Sequence, residues 1–342
     1  MPLAQAALIG ACAVAILAGL RAASPVVGPV VIALLITIAW SPASRWLQRH
    51  GWKPVLAALA GVVVVVVGMA LVVLVIWTSL AQLQDKLPEY QARIADLRAT
   101  IGVQLKRLPF DTSRLFEIEA LQPDAVVGYA LGLMRQLTSA VAYLGVLGLI
   151  VAFLMIESLR YPAKLHDALA SLDITSGRLT SFVAGLRRYA GINAVFGLGA
   201  AVLNVGFLTA AGVDFAILWG VVSFVLSFLP NIGFMLSLVP PALVALLQFG
   251  FGRALVVVVG YIVINAIVDD VIKPRFVGKS LDLSPAVIVL SLLFWGWLLG
   301  PVGALLAVPL SMTARFAFES FDELRWLGYL MSDQGETAAA GA

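Results

Sequence analysis

Histidine and cysteine are almost missing from this 342-residue chain, which has two histidines, His50 and His166, and one cysteine, Cys12. A single cysteine excludes an intrachain disulfide and a thiolate metal cluster, and two histidines argue against a multi-histidine metal site. No cofactor and no metal are therefore expected. Charge is scarce too. Asp, Glu, Lys and Arg make up only 12% of the chain, against about 25% in a soluble domain. The net charge of +3 is small, so nothing points to a nucleic-acid partner. Enzyme signatures are absent as well. Gly278-Lys279-Ser280 has Lys273 where the first glycine of a phosphate-binding loop belongs, and neither H-E-x-x-H nor G-x-S-x-G occurs. The reading is of a non-enzyme without an ATP site of its own.

What is present is hydrocarbon. The chain is 61% hydrophobic, with a mean hydropathy of +1.02, more apolar surface than a water-soluble core can hide. The fold class is therefore all-α, a polytopic helical membrane protein, because a backbone in lipid must bond within its own segment. β-Branched runs such as Val62 to Val67 disfavour helix in water but not there. Apolar stretches at 4–20, 25–41, 54–77, 138–156, 192–211, 215–229, 232–249 and 254–272 read as about eight transmembrane helices. The stretch from Ser284 to Phe318 is too long for one upright helix and carries Gly300-Pro301 at its middle. It fits a C-terminal broken or re-entrant hairpin, or two short spans.

Four regions follow: an N-terminal three-helix segment (1–79), an extracytoplasmic amphipathic segment (80–136), a C-terminal transmembrane core (137–318) containing a cytoplasmic stretch (157–191), and a cytoplasmic tail (319–342), partly disordered. Segment 80–136 holds seven basic and seven acidic residues. Leu80, Leu83, Leu87, Tyr90, Ile94, Leu97, Ile101, Leu105 and Leu108 step by three and four, making one apolar seam. That seam serves either a helical hairpin packed on itself or the membrane, or a contact between subunits of a homo-oligomer. Segments 42–53, 157–191, 270–283 and the tail from Arg315 hold thirteen Lys or Arg, whereas the short loops opposite hold only Arg21 and Arg253. The positive-inside rule then places both termini in the cytoplasm. Trp40, Trp46 and Trp52 suit anchors at that interface.

The polar residues inside apolar helices are the functional candidates. Tyr261, Asn265, Asp269 and Lys273 are spaced by four and share a helix face, with Asp270 and Arg275 close by. Asp269 suits proton exchange or a small cation; it equally suits a surface ion pair with Lys273 or Arg275. Asn193 and Asn204 are eleven residues apart, close to three turns, and face one side. Together with Asn231 and Asn265 they can bond a hydroxylated substrate or tie helices together. Pro230, Gly233, Pro240, Pro241, Pro274, Gly300, Pro301 and Pro309 are the helix-breaking positions. Interrupted helices free backbone groups and are a common way to build a midplane binding site.

The ordered set Pro230-Asn231-Ile232-Gly233, then IVDDVIKPRFVGKSLDLSP (267–285), then GPVGALLAVPL (300–310) resembles the AI-2E (autoinducer-2 exporter-like, PerM-like) family of bacterial membrane proteins. GVDFAILWG (212–220) and the hydropathy layout extend the resemblance over most of the chain. It implies an inner-membrane transporter, moving a small solute like autoinducer-2 or exchanging sodium for protons, and an oligomer. Its partners are then membrane lipid and a small-molecule or ion substrate. Asp270 stands where the family often has Asn, and Ser284 where it often has His. Lacking an ATP site, such a transporter is ion-coupled, facilitated or driven by a separate subunit. The rival reading is a non-transporting membrane scaffold or partner of an envelope complex.

Overall fold

The computed structural model describes residues 2–105, 123–159, 176–230, 232–273, 275, 283–321 and 324–332. Among them every regular element is helical. In chain order these are α1 (Pro2–Ala22), α2 (Ser24–Arg49), α3 (Pro54–Leu105), α4 (Pro123–Glu157), α5 (Ser176–Ala210), α6 (Ala216–Leu226), α7 (Gly233–Phe249), α8 (Phe251–Asn265), a π-helical continuation (Ala266–Ile272), α9 (Pro285–Leu305), α10 (Ala307–Ser320) and α11 (Arg325–Leu330). Six helices are long and apolar enough to cross a membrane, and three shorter apolar ones accompany them.

The N-terminal half is a packed set of α2, α3 and α4. Ala33, Leu147, Val151 and Met155 form its core. Trp40 belongs to that packing rather than to the interface. Its ring fills the space over Gly61, and its indole N–H donates to the Ala57 carbonyl at 3.2 Å. Trp46 and Trp52 are exposed, as anchors require.

Helix α3 runs 52 residues without interruption, so the boundary expected at 79/80 falls inside one helix. Its length of about 78 Å exceeds the ~30 Å hydrocarbon layer, and its far half projects past the bilayer. The apolar seam keeps its period across the boundary, which leaves nothing to stop the helix there. Leu80 and Leu83 pack against the cluster of Ile76, Tyr90, Leu218 and Trp219, and Tyr90 and Ile94 are buried. As far as Ile94 the seam is filled by the chain itself. Leu97, Ile101, Leu105 and Leu108 lie outside the described side chains.

The C-terminal half contains two helical hairpins, α6–α7 and α9–α10. Helices α6 and α7, about 17 and 26 Å long, are both shorter than the ~30 Å hydrocarbon layer. They meet at a turn through Pro230, where expectation put a break. Pro240 and Pro241, in contrast, lie inside α7 and do not interrupt it. They remove two amide donors, yet protein packing holds the helix together: Pro241 is fully buried, and the neighbouring Ser237 hydroxyl bonds the Phe234 carbonyl at 2.8 Å. In α9 the helical path breaks at Gly300, with φ 69° and ψ −154°, a conformation reserved for glycine. Pro301 restarts the helix after the break, and Pro309 sits harmlessly in the first turn of α10. Trp295 and Ser291 on α9 bond Ser311 on α10, at 3.0 and 2.6 Å, closing a hairpin. The straight part of α9, Pro285–Leu299, spans about 22 Å. Pro274 and Asn231 lie outside the described residues.

These hairpins enter from opposite sides. Arg253, at the start of α8, donates to the carbonyl of Ala211, just past the end of α5, so α5 and α8 are antiparallel and α6–α7 hangs from that end. At the other end, Phe316 of α10 stacks on Phe182 of α5 at 4.5 Å, and Met312 lies against Gly185.

Candidate functional site

Helix α5 is the element both hairpins share, and Tyr189 is the residue where they meet it. Its ring joins Leu283 and Val308 of the second hairpin region, while its hydroxyl donates to the Phe228 carbonyl at the tip of the first, at 3.2 Å. Both tips depend on glycine for close approach. A Cβ at Gly233 would lie 1.9 Å from the Leu226 carbonyl oxygen, and one at Gly303 would lie 1.9 Å from that of Trp295.

The buried polar side chains of α5 to α8 are amides and hydroxyls: Asn193 and Asn204 on α5, Ser223 on α6, Ser237 on α7 and Asn265 on α8, together with the fully buried Tyr261, whose hydroxyl is 3.4 Å from that of Ser223. Asn193 donates to the Tyr189 carbonyl at 3.0 Å, and Asn265 to that of Tyr261 at 2.8 Å. Those amides bond their own helices rather than tying neighbours together. Asn204 differs: it is 0% exposed, and neither its oxygen nor its nitrogen has a partner. On α5 it falls between Ala201, which lies against Gly220 of α6, and Phe207, which lies against Gly260 of α8. Helical geometry therefore directs it at the seam between α6 and α8.

Asp269 and Lys273 form an ion pair at 3.3 Å, with the carboxylate 39% exposed. Asp269 sits on the π-helical stretch, which packs on α5, and Lys273 caps its end. The i→i+5 turn is wider than an α-turn and keeps this pair on the side of Tyr261 and Asn265. Arg275 is exposed. The side chain of Asp270 lies outside what is described.

Sequence reasoning missed one polar centre. The Asp214 carboxylate accepts from Lys86 and from the Tyr90 hydroxyl. Its amide donates to Gln248 at 3.1 Å, and its carbonyl accepts from the Trp219 indole at 3.0 Å. One aspartate thus ties the projecting part of α3 to the base of the α6–α7 hairpin. The signal was a lone acidic residue in the apolar turn Gly212-Val213-Asp214-Phe215, whose partners are more than 120 residues away in α3. No local pattern reveals them.

The family described as "AI-2E family transporter" matches residues 11–322. Among similar proteins is the AI-2 transport protein TqsA of Escherichia coli (strain K12), 31% identical over 94% of this chain and 93% of its own length. YhhT of the same organism is 31% identical over 90% and 88%, and a Haemophilus influenzae protein is 32% identical over 95% and 96%.

Proposed function

The chain belongs to the AI-2E family of membrane transporters, and from that premise we propose that it moves a small polar solute through the seam between α5, α6 and α8. The observation that carries this reading is Asn204. An amide with neither atom bonded is costly where water is absent, roughly 1–3 kcal/mol, and a groove that binds a solute turns that cost into a binding contact. The buried polar residues described on α5 to α8 are all neutral. A hydroxylated or carbonyl-bearing solute suits such a lining better than a bare cation, whose charge would go unbalanced. The name of TqsA, an AI-2 transport protein, points to the same kind of solute.

Sodium–proton exchange is the second reading, supported by the Asp269–Lys273 pair on a π-helix, since π-helical turns cluster at functional sites. In that reading Asp269 is the titrating group that couples an ion to movement. The two readings are compatible, with Asp269 driving and Asn204 binding. We place the protein in the bacterial inner membrane with both termini in the cytoplasm, from the distribution of Lys and Arg.

The test is flux in proteoliposomes reconstituted with the full chain. An autoinducer-2-like solute, sodium and lithium are each offered with and without an imposed proton gradient. Accumulation of the solute above protein-free vesicles supports the first reading. Cation exchange without solute movement supports the second. No flux of any of them leaves the scaffold as the better account.

A further inference from the structure

Helix α11 has an apolar face that the described residues leave uncovered. Trp326, Tyr329 and Leu330 are 60%, 58% and 66% exposed, and their i, i+3, i+4 spacing puts them on one side of the helix. The opposite side is fixed to protein. Gly328 is buried, and a Cβ there would lie 2.6 Å from Cγ of Glu319, so α11 is pressed against the end of α10. Met331, which follows the helix, packs on the cluster of Tyr189, Leu283 and Val308. Its carbonyl accepts from the Ser284 amide at 3.2 Å. Three large apolar side chains grouped on the outer face call for a partner there.

The depth of the helix identifies that partner. Helix α10 ends at Ser320, and the backbone turns extended at Phe321. Helix α11 then runs back along α10, from Gly328 beside Glu319 to Met331 beside Val308. It returns to the level of Ser284, one residue before α9 begins. From there α9 offers Val289, Leu290 and Leu293 to hydrocarbon, each more than half exposed. The outer face of α11 thus lies at the depth where the apolar surface of a spanning helix starts. Its composition agrees. Trp and Tyr carry an apolar body and a polar tip and collect at the headgroup boundary, whereas the three α9 side chains are aliphatic.

We propose that α11 is a foot in the membrane interface: Trp326, Tyr329 and Leu330 sit in the headgroup layer, and Met331 holds the base of the α9–α10 hairpin at that depth. The partner is the lipid surface itself, met through aromatic and apolar side chains as other interfacial helices meet it. The foot is independent of the solute moved and of the leaflet it meets. Loss of its grip loosens the base of the hairpin without removing any buried amide of α5 or α8.

The test is nitroxide accessibility by electron paramagnetic resonance, with the full chain in phosphatidylcholine–phosphatidylglycerol liposomes and the reagents on both sides of the membrane. In a Cys12→Ala background, Leu330→Cys carries the label and leaves both aromatic residues in place. Leu290→Cys on α9 and Arg93→Cys on the projecting part of α3 give the hydrocarbon and water references. The label at position 330 is expected to be several-fold less accessible to a water-soluble nickel chelate than the one at 93, and more accessible than the one at 290. Equal nickel accessibility at 330 and 93 overturns the proposal and leaves the face to water or a soluble partner. Shielding from nickel and oxygen together, with spin–spin broadening that fades on dilution with unlabelled chain, overturns it in favour of a second copy. The hold on the hairpin has its own readout. Joint Trp326→Ser and Tyr329→Ser substitution should speed hydrogen exchange in the peptide containing Ser284 about tenfold while leaving exchange in α2 unchanged. Wild-type exchange at Ser284 in that variant overturns the hold. Should the double variant fail to fold, Tyr329→Ser alone is read at the same peptide, and an unchanged rate there is equally fatal.

Discussion

At the scale of single residues, Asn204 and Asp269 make opposite demands. Asn204 is fully buried with both amide atoms unbonded, so it lowers stability wherever it does no work. Asn204→Leu keeps the volume and removes the unbonded groups. The thermal midpoint in detergent should hold or rise, while solute flux should fall at least about tenfold, the loss of one good hydrogen bond. A variant with raised stability and full flux would make Asn204 a packing accident. Asp269 is half exposed and paired to Lys273, and an exposed pair of this kind contributes about 0–1 kcal/mol. Asp269→Asn should therefore leave folding nearly unchanged, so any loss of gradient-driven flux belongs to coupling. Asp270→Asn should matter less, because the next residue of a helix points elsewhere. Flux with wild-type rate and pH dependence in Asp269→Asn would reduce Asp269 to an anchor of α8. The candidate amides were legible in the sequence because polar residues inside apolar helices stand out. That Asn204, alone among the described candidate amides, is unbonded was not legible, since it depends on which side chains of α6 and α8 fail to reach it.

At the scale of elements, breaks in helices were easier to foresee than their consequences. Gly300-Pro301 and the turn at Pro230 end helices as their chemistry requires, whereas Pro240 and Pro241 stay inside α7 because surrounding protein holds that helix together. In a membrane, neighbours decide whether a proline breaks a helix, and one sequence does not name the neighbours. The fold-back of α9 onto α10 rests on Gly303 as well as on Gly300. Adding a methyl at Gly303 or Gly233 drives it into a backbone carbonyl at 1.9 Å, which cannot swing away as a side chain can. Gly303→Ala and Gly233→Ala should each cost about 2 kcal/mol or more and reduce the monodisperse fraction on size exclusion. Gly252→Ala, where the new methyl meets nothing within 4 Å, is the control and should be neutral. Normal yield and flux in both tip variants would mean the tips are looser than their packing indicates. The seam of α3 was legible as a seam, and its period left open what it touches. Tyr90 and Ile94 turn out to be buried within the chain, so these two residues are not free to hold a second copy.

At the scale of the whole molecule, charge distribution and helix packing bear on one question, the direction in which the chain threads the bilayer. The antiparallel contact of Arg253 with Ala211 puts the start of α8 beside the end of α5. The bonds from Lys86 and Tyr90 to Asp214 bring the projecting half of α3 to that same side. The start of α3, and with it Arg45 near the end of α2, lies at the opposite end. Packing therefore sorts the chain into two sides without saying which faces the cytoplasm. The basic residues supply the sign: thirteen Lys or Arg occur in segments 42–53, 157–191 and 270–283 and from Arg315 on, the described ends of those segments lie on the Arg45 side, and short loops rich in Lys and Arg are retained inside. Lys53 should then be cytoplasmic and Arg93 outside. The single native thiol makes this straightforward to check. In a Cys12→Ala background, Arg93→Cys should react with a membrane-impermeant maleimide in intact cells, and Lys53→Cys only after the membrane is opened. Arg93 is exposed and makes no bond to Asp214, so its replacement leaves the tie between α3 and the hairpin in place. Reversed labelling would invert the whole arrangement, because the packing allows no single helix to be turned alone. The α6–α7 hairpin would then open to the cytoplasm.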